Sequence, residues 1–173
     1  MTNLFNAVII VTLLLLFNSP CLAYKGEPKM AVKFEQYPVK SIYKGKPVKP
    51  RLESREARLF RTVIREGTSS GPNFAGEFTI VSYGCGSCCD AFFIVNAQTG
   101  KVYSPPFYVS CHYKEGVPGY ASACYTYRLN SKLLIVQGAR NAKGGGEYYY
   151  LWENNQLKLL KSLEEPITQE PSL

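Results

Sequence analysis

The chain has few of the residues on which most catalytic mechanisms depend. Its 173 residues include a single histidine, His112, and a single aspartate, Asp90. A Ser-His-Asp or Cys-His catalyst would therefore have to use His112, which directly follows Cys111. Neighbours on an extended strand point to opposite faces, so we interpret His112 as a polar loop residue. The sequence favours a protein that is not an enzyme.

Two further catalytic arrangements lack their sequence signatures. The acids near predicted strand ends are Glu77, Asp90 and Glu147, and nothing marks two of them as the carboxylate pair of a glycosidase. The stretch "GARNAKGGGEYYY" lacks the G-x-x-x-x-G-K-[ST] order of a phosphate loop and leads into a predicted strand. We predict no cofactor and interpret this stretch as a hairpin loop.

Only one long apolar run occurs, from Ala7 to Phe17. It has roughly half of the ~20 residues that a membrane-spanning helix needs. Small residues at Cys21 and Ala23 then fit a cleavage site, so residues 1–23 are a predicted signal peptide. We expect a periplasmic or secreted protein whose mature chain has no transmembrane helix. An uncleaved anchor and a lipid anchor at Cys21 are the alternatives.

Positive charge is concentrated near the start of the predicted mature chain. Residues 24–66 contain twelve Lys and Arg but five Glu, whereas residues 67–173 contain eight of each sign. Residues 24–50 are a predicted basic arm rich in Pro and Lys. Such a region attracts an acidic protein or an anionic envelope component, although solubility and generic surface charge are the favoured explanation. No specific nucleic-acid motif accompanies it.

An amphipathic helix is predicted after Pro50. Ser54 is the predicted N-cap and Gly67 the predicted C-cap residue. At 100° per residue, one side of this helix is apolar, and the other side carries four arginines. Arginine pairs bidentately with carboxylate or phosphate, so this side is a candidate partner-binding face. The four arginines are Arg55, Arg58, Arg61 and Arg65.

The rest of the chain has the pattern of β-hairpins. Hairpins are predicted around residues 98–100, 130–131 and 154–155, and the first strand, Ala91–Asn96, is apolar on both faces and therefore central. Consecutive hairpins indicate an antiparallel meander. We predict a β-rich α+β fold in which one N-terminal amphipathic helix packs on a sheet of about six or seven strands. Tyr148, Tyr150 and Trp152 fit either the core or a surface patch.

Five cysteines remain after the predicted cleavage: Cys85, Cys88, Cys89, Cys111 and Cys124. In an oxidising compartment they predict disulfides, with one thiol left over. We favour Cys111–Cys124, which would contribute ~3 kcal/mol through loop closure, together with Cys85 bonded to Cys88 or Cys89. A redox C-x-x-C centre is an alternative, although no predicted helix follows the motif. A metal site that includes His112 is another, although a second paired-ligand motif is missing.

The central part of the chain resembles a group of exported bacterial proteins. The resemblance covers roughly residues 60–106 and rests on a GPNFAG turn, a TIV strand, a GCGxxC element and an AxTGKVY hairpin. Tyr83 and the doublet Cys88-Cys89 depart from the pattern of the group. The group has no established activity, so the resemblance implies export, a bacterial envelope setting and a disulfide, but no catalytic residue.

These observations lead to one predicted organisation. Residues 1–23 are the signal peptide, 24–50 the basic arm, 51–163 a single α+β domain, and 164–173 an acidic tail that we expect to fray. The predicted function is binding of a partner, and an inhibitor-like protein is one concrete form of it. A small envelope thiol-redox enzyme and a metal-binding protein that use the cysteine cluster are the alternatives.

Overall fold

The computed structural model describes residues 32–113, 120–121 and 124–165, with side chains at all of these positions except 112, 113, 120, 121, 124 and 165. The predicted signal peptide, the start of the predicted basic arm and residues 166–173 of the predicted tail lie outside these ranges. Among the described residues, no helix has the length and apolar character needed to cross a membrane.

Strands make up most of the described chain, and three short helical segments precede them. A 3₁₀ turn covers Phe34–Gln36, helix α1 covers Arg55–Leu59 and helix α2 covers Arg61–Thr68. The strands are β1 Phe78–Gly86, β2 Cys89–Asn96, β3 Val102–Tyr103, β4 Val109–Ser110, β5 His112–Tyr113, β6 Tyr120–Ala121, β7 Cys124–Tyr127, β8 Leu133–Gln137, β9 Ala139–Arg140, β10 Gly145–Glu153 and β11 Gln156–Glu165.

The strands form two main antiparallel sheets rather than one meander. The first sheet has the order β1-β2-β4-β9, with β3 also paired to β2, and the second has the order β11-β10-β8-β7. Strands β5 and β6 form a separate two-stranded sheet. The prediction of a β-rich, antiparallel fold is confirmed, but the single sheet of six or seven strands is wrong. Hairpin spacing alone does not show where a chain leaves one sheet for another.

The three predicted hairpins are present. Strand β2 pairs with β3, β7 with β8, and β10 with β11. Strand β2 also pairs with β1 and β4, which makes it the central strand that its two apolar faces predict. The last hairpin turns at Asn154 and Asn155, whose φ values of 51° and 60° suit the tight turn that asparagine favours.

One aromatic core joins the two sheets. Phe78 of the first sheet meets Trp152 of the second with ring centroids 5.1 Å apart, and Phe107 stacks on Tyr150 at 5.1 Å. Tyr148, Tyr150 and Trp152 are 2%, 3% and 5% exposed, so they belong to the core rather than to a surface patch. Alternation along β10 places them on the face that meets the first sheet.

The outer face of the first sheet is covered by α1 and α2. Ala57 and Ile64 pack against Phe93 and Val95, the residues of β2 that point away from the aromatic core. Ser54 is the N-cap of α1, as predicted, because its Oγ accepts the N–H of Ala57 at 2.9 Å.

The predicted single helix is divided in two. Phe60 separates α1 from α2 with φ −96° and ψ 23°, and its ring lies 4.1 Å from that of Tyr83. Gly67 is not the residue after the helix but lies within α2, which ends at Thr68. Leu59, which a continuous helix with 100° per residue would place on the apolar side, is 72% exposed. The break at Phe60 interrupts the regular turn, so the 100° periodicity does not extend across it.

The described part of the predicted basic arm lies along the body of the protein. Phe34 packs with Leu133 and Tyr149 on the outer face of the second sheet. Backbone hydrogen bonds continue from there, with Val39 N donating to Asn130 O at 3.1 Å and Val48 N donating to Ala97 O at 2.8 Å. Residues 32–50 therefore run from the second sheet to the first.

Candidate functional site

A groove separates the end of this N-terminal segment from the end of α2. Its volume is about 630 Å³. One wall is the extended stretch from Pro47 to Pro50, and the other consists of Arg65, Thr68 and Ser69. We call this feature the basic groove, because Lys49 and Arg65 both line it.

Local sequence explains why the walls of the basic groove are held in place. Arg51 N donates to Gly100 O at 2.7 Å, which ties the end of the extended wall to the β2–β3 turn. Gly100 has φ +72°, and a Cβ there would lie 2.3 Å from Lys49 O, so only glycine lets the two segments approach. On the other wall, buried Thr68 donates its hydroxyl to Ile64 O at 2.8 Å.

The cations of the basic groove have no carboxylate partner in the described part of the chain. The ion pairs found there join Arg51 to Glu53 at 2.5 Å and Arg128 to Glu35 at 2.8 Å. Lys49 and Arg65 take part in neither pair, and both side chains are exposed. The groove thus presents two positive charges together with the apolar surface of prolines and of Val48, which is 45% exposed.

All four predicted binding arginines are exposed, but they do not share one helix. Arg55 and Arg58 belong to α1, and Arg61 and Arg65 to α2. Arg58 has a structural contact, since its guanidinium donates to the backbone carbonyl of Glu53 at 2.6 Å. Arg65 is the member that lines the basic groove. Whether these arginines bind a partner stays a prediction.

The cysteines form two disulfides at the tip of the β1–β2 hairpin. Cys85 is bonded to Cys89, and Cys88 to Cys111. The prediction that Cys85 pairs with Cys88 or Cys89 is therefore confirmed, whereas the favoured Cys111–Cys124 bond is wrong. Strand β4 pairs with β2 through Cys89↔Ser110, and this pairing brings the neighbouring Cys111 to the hairpin tip. The side chain of Cys124 lies outside the described residues.

This pairing bears on the redox and metal alternatives. The two ends of the C-x-x-C motif, Cys85 and Cys88, are bonded to other cysteines and lie in a strand and a turn. The motif therefore lacks the helix N-terminus that lowers a thiol pKa in thioredoxin-like catalysts. In this state the four sulfurs are not thiolates, the form that binds zinc. The side chain of His112 lies outside the described residues.

The three candidate acids belong to different parts of the fold. Glu77 precedes β1 and accepts from the Asn96 side chain at 3.0 Å, whereas Asp90 pairs with Gly84 near the other end of the β1–β2 hairpin. Glu147 belongs to the second sheet. Burial raises the pKa of Tyr149 to about 12, and the negative charge of Glu147 adds to this increase. The arrangement does not assemble a pair of carboxylates around one cleft.

The extended wall of the basic groove was not predicted from the sequence as a specific site. Lys49 belongs to the predicted basic arm, but the sequence does not show that it meets Arg65, sixteen residues later. The available signal is the stretch "PVKP", in which prolines on both sides of Lys49 favour an extended backbone that holds the lysine outward.

The chain has no detected relative in any of three comparisons. No protein-family model, no curated protein and no solved structure matches it.

Proposed function

We propose that the protein is an exported binding domain whose basic groove takes up an extended acidic segment of a partner protein. The observation that supports this proposal is the joint position of Lys49 and Arg65, two exposed cations without a carboxylate partner in the described chain, along one groove. Arg65 can bind a carboxylate with two parallel hydrogen bonds, and Lys49 supplies a second positive charge.

The shape of the groove favours a peptide over a membrane surface. Its two walls enclose a volume of about 630 Å³, which suits a chain segment, whereas a membrane surface would contact only exposed rims. Pro47, Val48 and Pro50 offer apolar contacts between the charges. An occupant that alternates acidic and apolar side chains would satisfy both kinds of surface, since alternate residues of an extended chain point to opposite sides.

The expected setting is the bacterial envelope or the exterior of the cell. The two disulfides stabilise the domain, and disulfides persist in oxidising compartments. The signal-peptide pattern in residues 1–23 and the resemblance to exported proteins support the same location. A periplasmic or secreted binding protein accounts for these features without a cofactor or a catalytic group.

Binding of a defined acidic probe tests the proposal. We would measure fluorescence anisotropy of a labelled Glu-Pro repeat peptide with residues 24–173, and repeat it with a Lys-Pro peptide of equal length. The Glu-Pro peptide should bind, and its affinity should fall with added salt because exposed charges are screened. The double variant Lys49→Gln/Arg65→Gln should lose at least fivefold in affinity.

A second double variant separates the groove from general positive charge. Lys143→Gln/Lys158→Gln also removes two positive charges, but from exposed positions outside the groove, and we expect less than a twofold loss of affinity. Equal losses in both double variants would show that net charge, rather than the groove, binds the peptide. Tighter binding to phosphatidylglycerol vesicles than to the peptide, lost in Lys49→Gln/Arg65→Gln, would contradict a protein partner.

A further inference from the structure

The tip of the β1–β2 hairpin places a cysteine where turn geometry favours glycine. Residues Ser87 and Cys88 form the turn, and Cys88 has φ +54°. In this left-handed region the Cβ of an L-residue crowds its own backbone, which glycine avoids. The turn itself therefore does not explain Cys88, whereas its sulfur, bonded to Cys111, does.

The two disulfides at this tip are held by the fold to different extents. Strands β1 and β2 pair from Phe78↔Asn96 to Gly86↔Cys89, so the hairpin alone brings Cys85 and Cys89 together, with Cα atoms 5.1 Å apart. Cys111 instead follows β4, which pairs with β2 at only two positions. One backbone bond, from Cys111 N to Cys88 O at 2.9 Å, adds to this.

This difference sets the order in which the bonds open. Two thiols that the fold keeps adjacent re-form their disulfide readily, because their effective concentration is high. Once Cys88–Cys111 opens, the two sulfurs are kept near each other by the short β4 pairing and one backbone hydrogen bond, fewer restraints than the paired strands give Cys85 and Cys89. Cys85 and Cys88 are both exposed, so an external thiolate can reach either disulfide, and the order of opening depends on how readily each bond re-forms.

We propose that Cys88–Cys111 is a thiol–disulfide exchange site, which an external protein dithiol opens while Cys85–Cys89 stays closed. A thiolate of the dithiol attacks Sγ of Cys88, and Cys111 leaves as a thiolate that takes up a proton. The second thiol of the dithiol then attacks the mixed disulfide and releases Cys88. Two electrons and two protons pass to the protein, and the dithiol becomes a disulfide.

Opening this bond has a structural consequence for the strands that follow. Cys111 directly precedes β5, and β5 pairs with β6 in a sheet of its own. The Cys88–Cys111 bond therefore connects the β5–β6 sheet to the tip of the first sheet. We expect reduction to increase the freedom of this connection while the core between the two main sheets stays intact.

A redox titration of residues 24–173 tests this assignment independently of the proposed acidic partner. The protein is equilibrated in buffers of increasing reduced-to-oxidised dithiothreitol ratio, alkylated with N-ethylmaleimide and mapped by mass spectrometry. Cys88 and Cys111 should be alkylated together at a ratio at least tenfold lower than Cys85 and Cys89. A Cys124→Ser background keeps the remaining cysteine out of the exchange.

Fluorescence of Trp152, in the core between the sheets, provides the second readout. It should not change over the range in which Cys88–Cys111 opens. Simultaneous opening of both disulfides, earlier opening of Cys85–Cys89, or a change in Trp152 fluorescence together with Cys88–Cys111 reduction would each overturn the proposal.

Hydrogen exchange should rise at residues 109–111 in the double variant Cys88→Gly/Cys111→Ser. In the control double variant Cys85→Ser/Cys89→Ser, it should remain as in the unaltered protein.

Discussion

The two faces of the first sheet are covered in different ways. On the inner face, large rings of the two sheets interlock, as where Phe78 meets Trp152 edge to face. On the outer face, the covering helices approach closely through small residues. Ala57 is 1% exposed, and Gly67 of α2 lies directly over Val81. The inner contact is the larger and holds most of the buried rings, whereas the outer contact is a smaller cluster around Phe60, Tyr83 and Phe93 beneath a basic surface.

The inner face should supply most of the stability, whereas the outer layer presents the surface that can bind a partner. Burial of apolar area supplies most of the driving force for folding, and the inner face holds the larger share of the buried rings. The outer layer is left with exposed cations, including Arg65 at the basic groove. Substitutions in the helix layer should therefore affect stability less than substitutions between the sheets.

The largest effect on stability is expected when the same leucine-to-alanine change is compared in the core and in the helix layer. Leu134 of β8 is 0% exposed in the core between the sheets, whereas Leu59 of α1 is 72% exposed. Leu134→Ala should lower the free energy of unfolding by about 2–5 kcal/mol, because it removes buried methyl groups and leaves a cavity. Leu59→Ala should change it by less than about 0.5 kcal/mol. Urea unfolding followed by Trp152 fluorescence measures both, and similar losses would contradict the comparison.

Sequence reasoning predicted the inner face better than the outer one. Strand alternation is local, so the positions of Tyr148, Tyr150 and Trp152 on one side of β10 follow from a period of two. The same pattern does not show whether that side meets another sheet or water. Whether these three side chains lie in the core or on the surface depends on how the two sheets pack together. That packing rests on contacts distant in sequence, which a local pattern does not show.

The helix layer shows the limit of periodicity more clearly. Ser54 was correctly predicted as the N-cap because a capping residue acts within one turn. The break at Phe60 was missed, since its ring packs on Tyr83, twenty-three residues later. The predicted Cys111–Cys124 bond failed for the same kind of reason, whereas the predicted bond of Cys85 to Cys88 or Cys89 was confirmed. Cys111 is brought to Cys88 by the pairing of β4 with β2, which no local spacing encodes.

The close approach of α2 to the first sheet should make Gly67 intolerant of a side chain. Alanine in a helix interior is normally favoured over glycine by about 1 kcal/mol. A Cβ at Gly67, however, would lie 2.6 Å from Cγ1 of Val81, a buried side chain. We expect Gly67→Ala to lower the free energy of unfolding by about 1–2 kcal/mol, because overpacking outweighs the gain in helix propensity.

A double variant checks that this loss comes from the helix–sheet contact. In Gly67→Ala/Val81→Ala the combined loss should be smaller than the sum of the two single losses, because the second substitution makes room for the first. Unfolding in urea gives all three values. Additive losses, or a Gly67→Ala variant more stable than the unaltered protein, would mean that α2 lies further from the sheet.

The smallest effect should come from the start of the helix layer. Helix α1 has only five residues, too few to be stable alone, so it depends on its cap and on packing against the sheet. Ser54→Ala leaves the N–H of Ala57 without its hydroxyl acceptor and should cost about 1 kcal/mol in unfolding free energy, whereas Ser54→Asp should retain most of it. Ser69→Ala is the matched control, because Ser69 only donates to an exposed carbonyl at the other end of the layer, that of Glu66. If Ser54→Ala lowers the free energy of unfolding no more than Ser69→Ala does, packing alone holds α1. The helix layer would then depend on apolar packing, as the inner face does, despite its exposed surface.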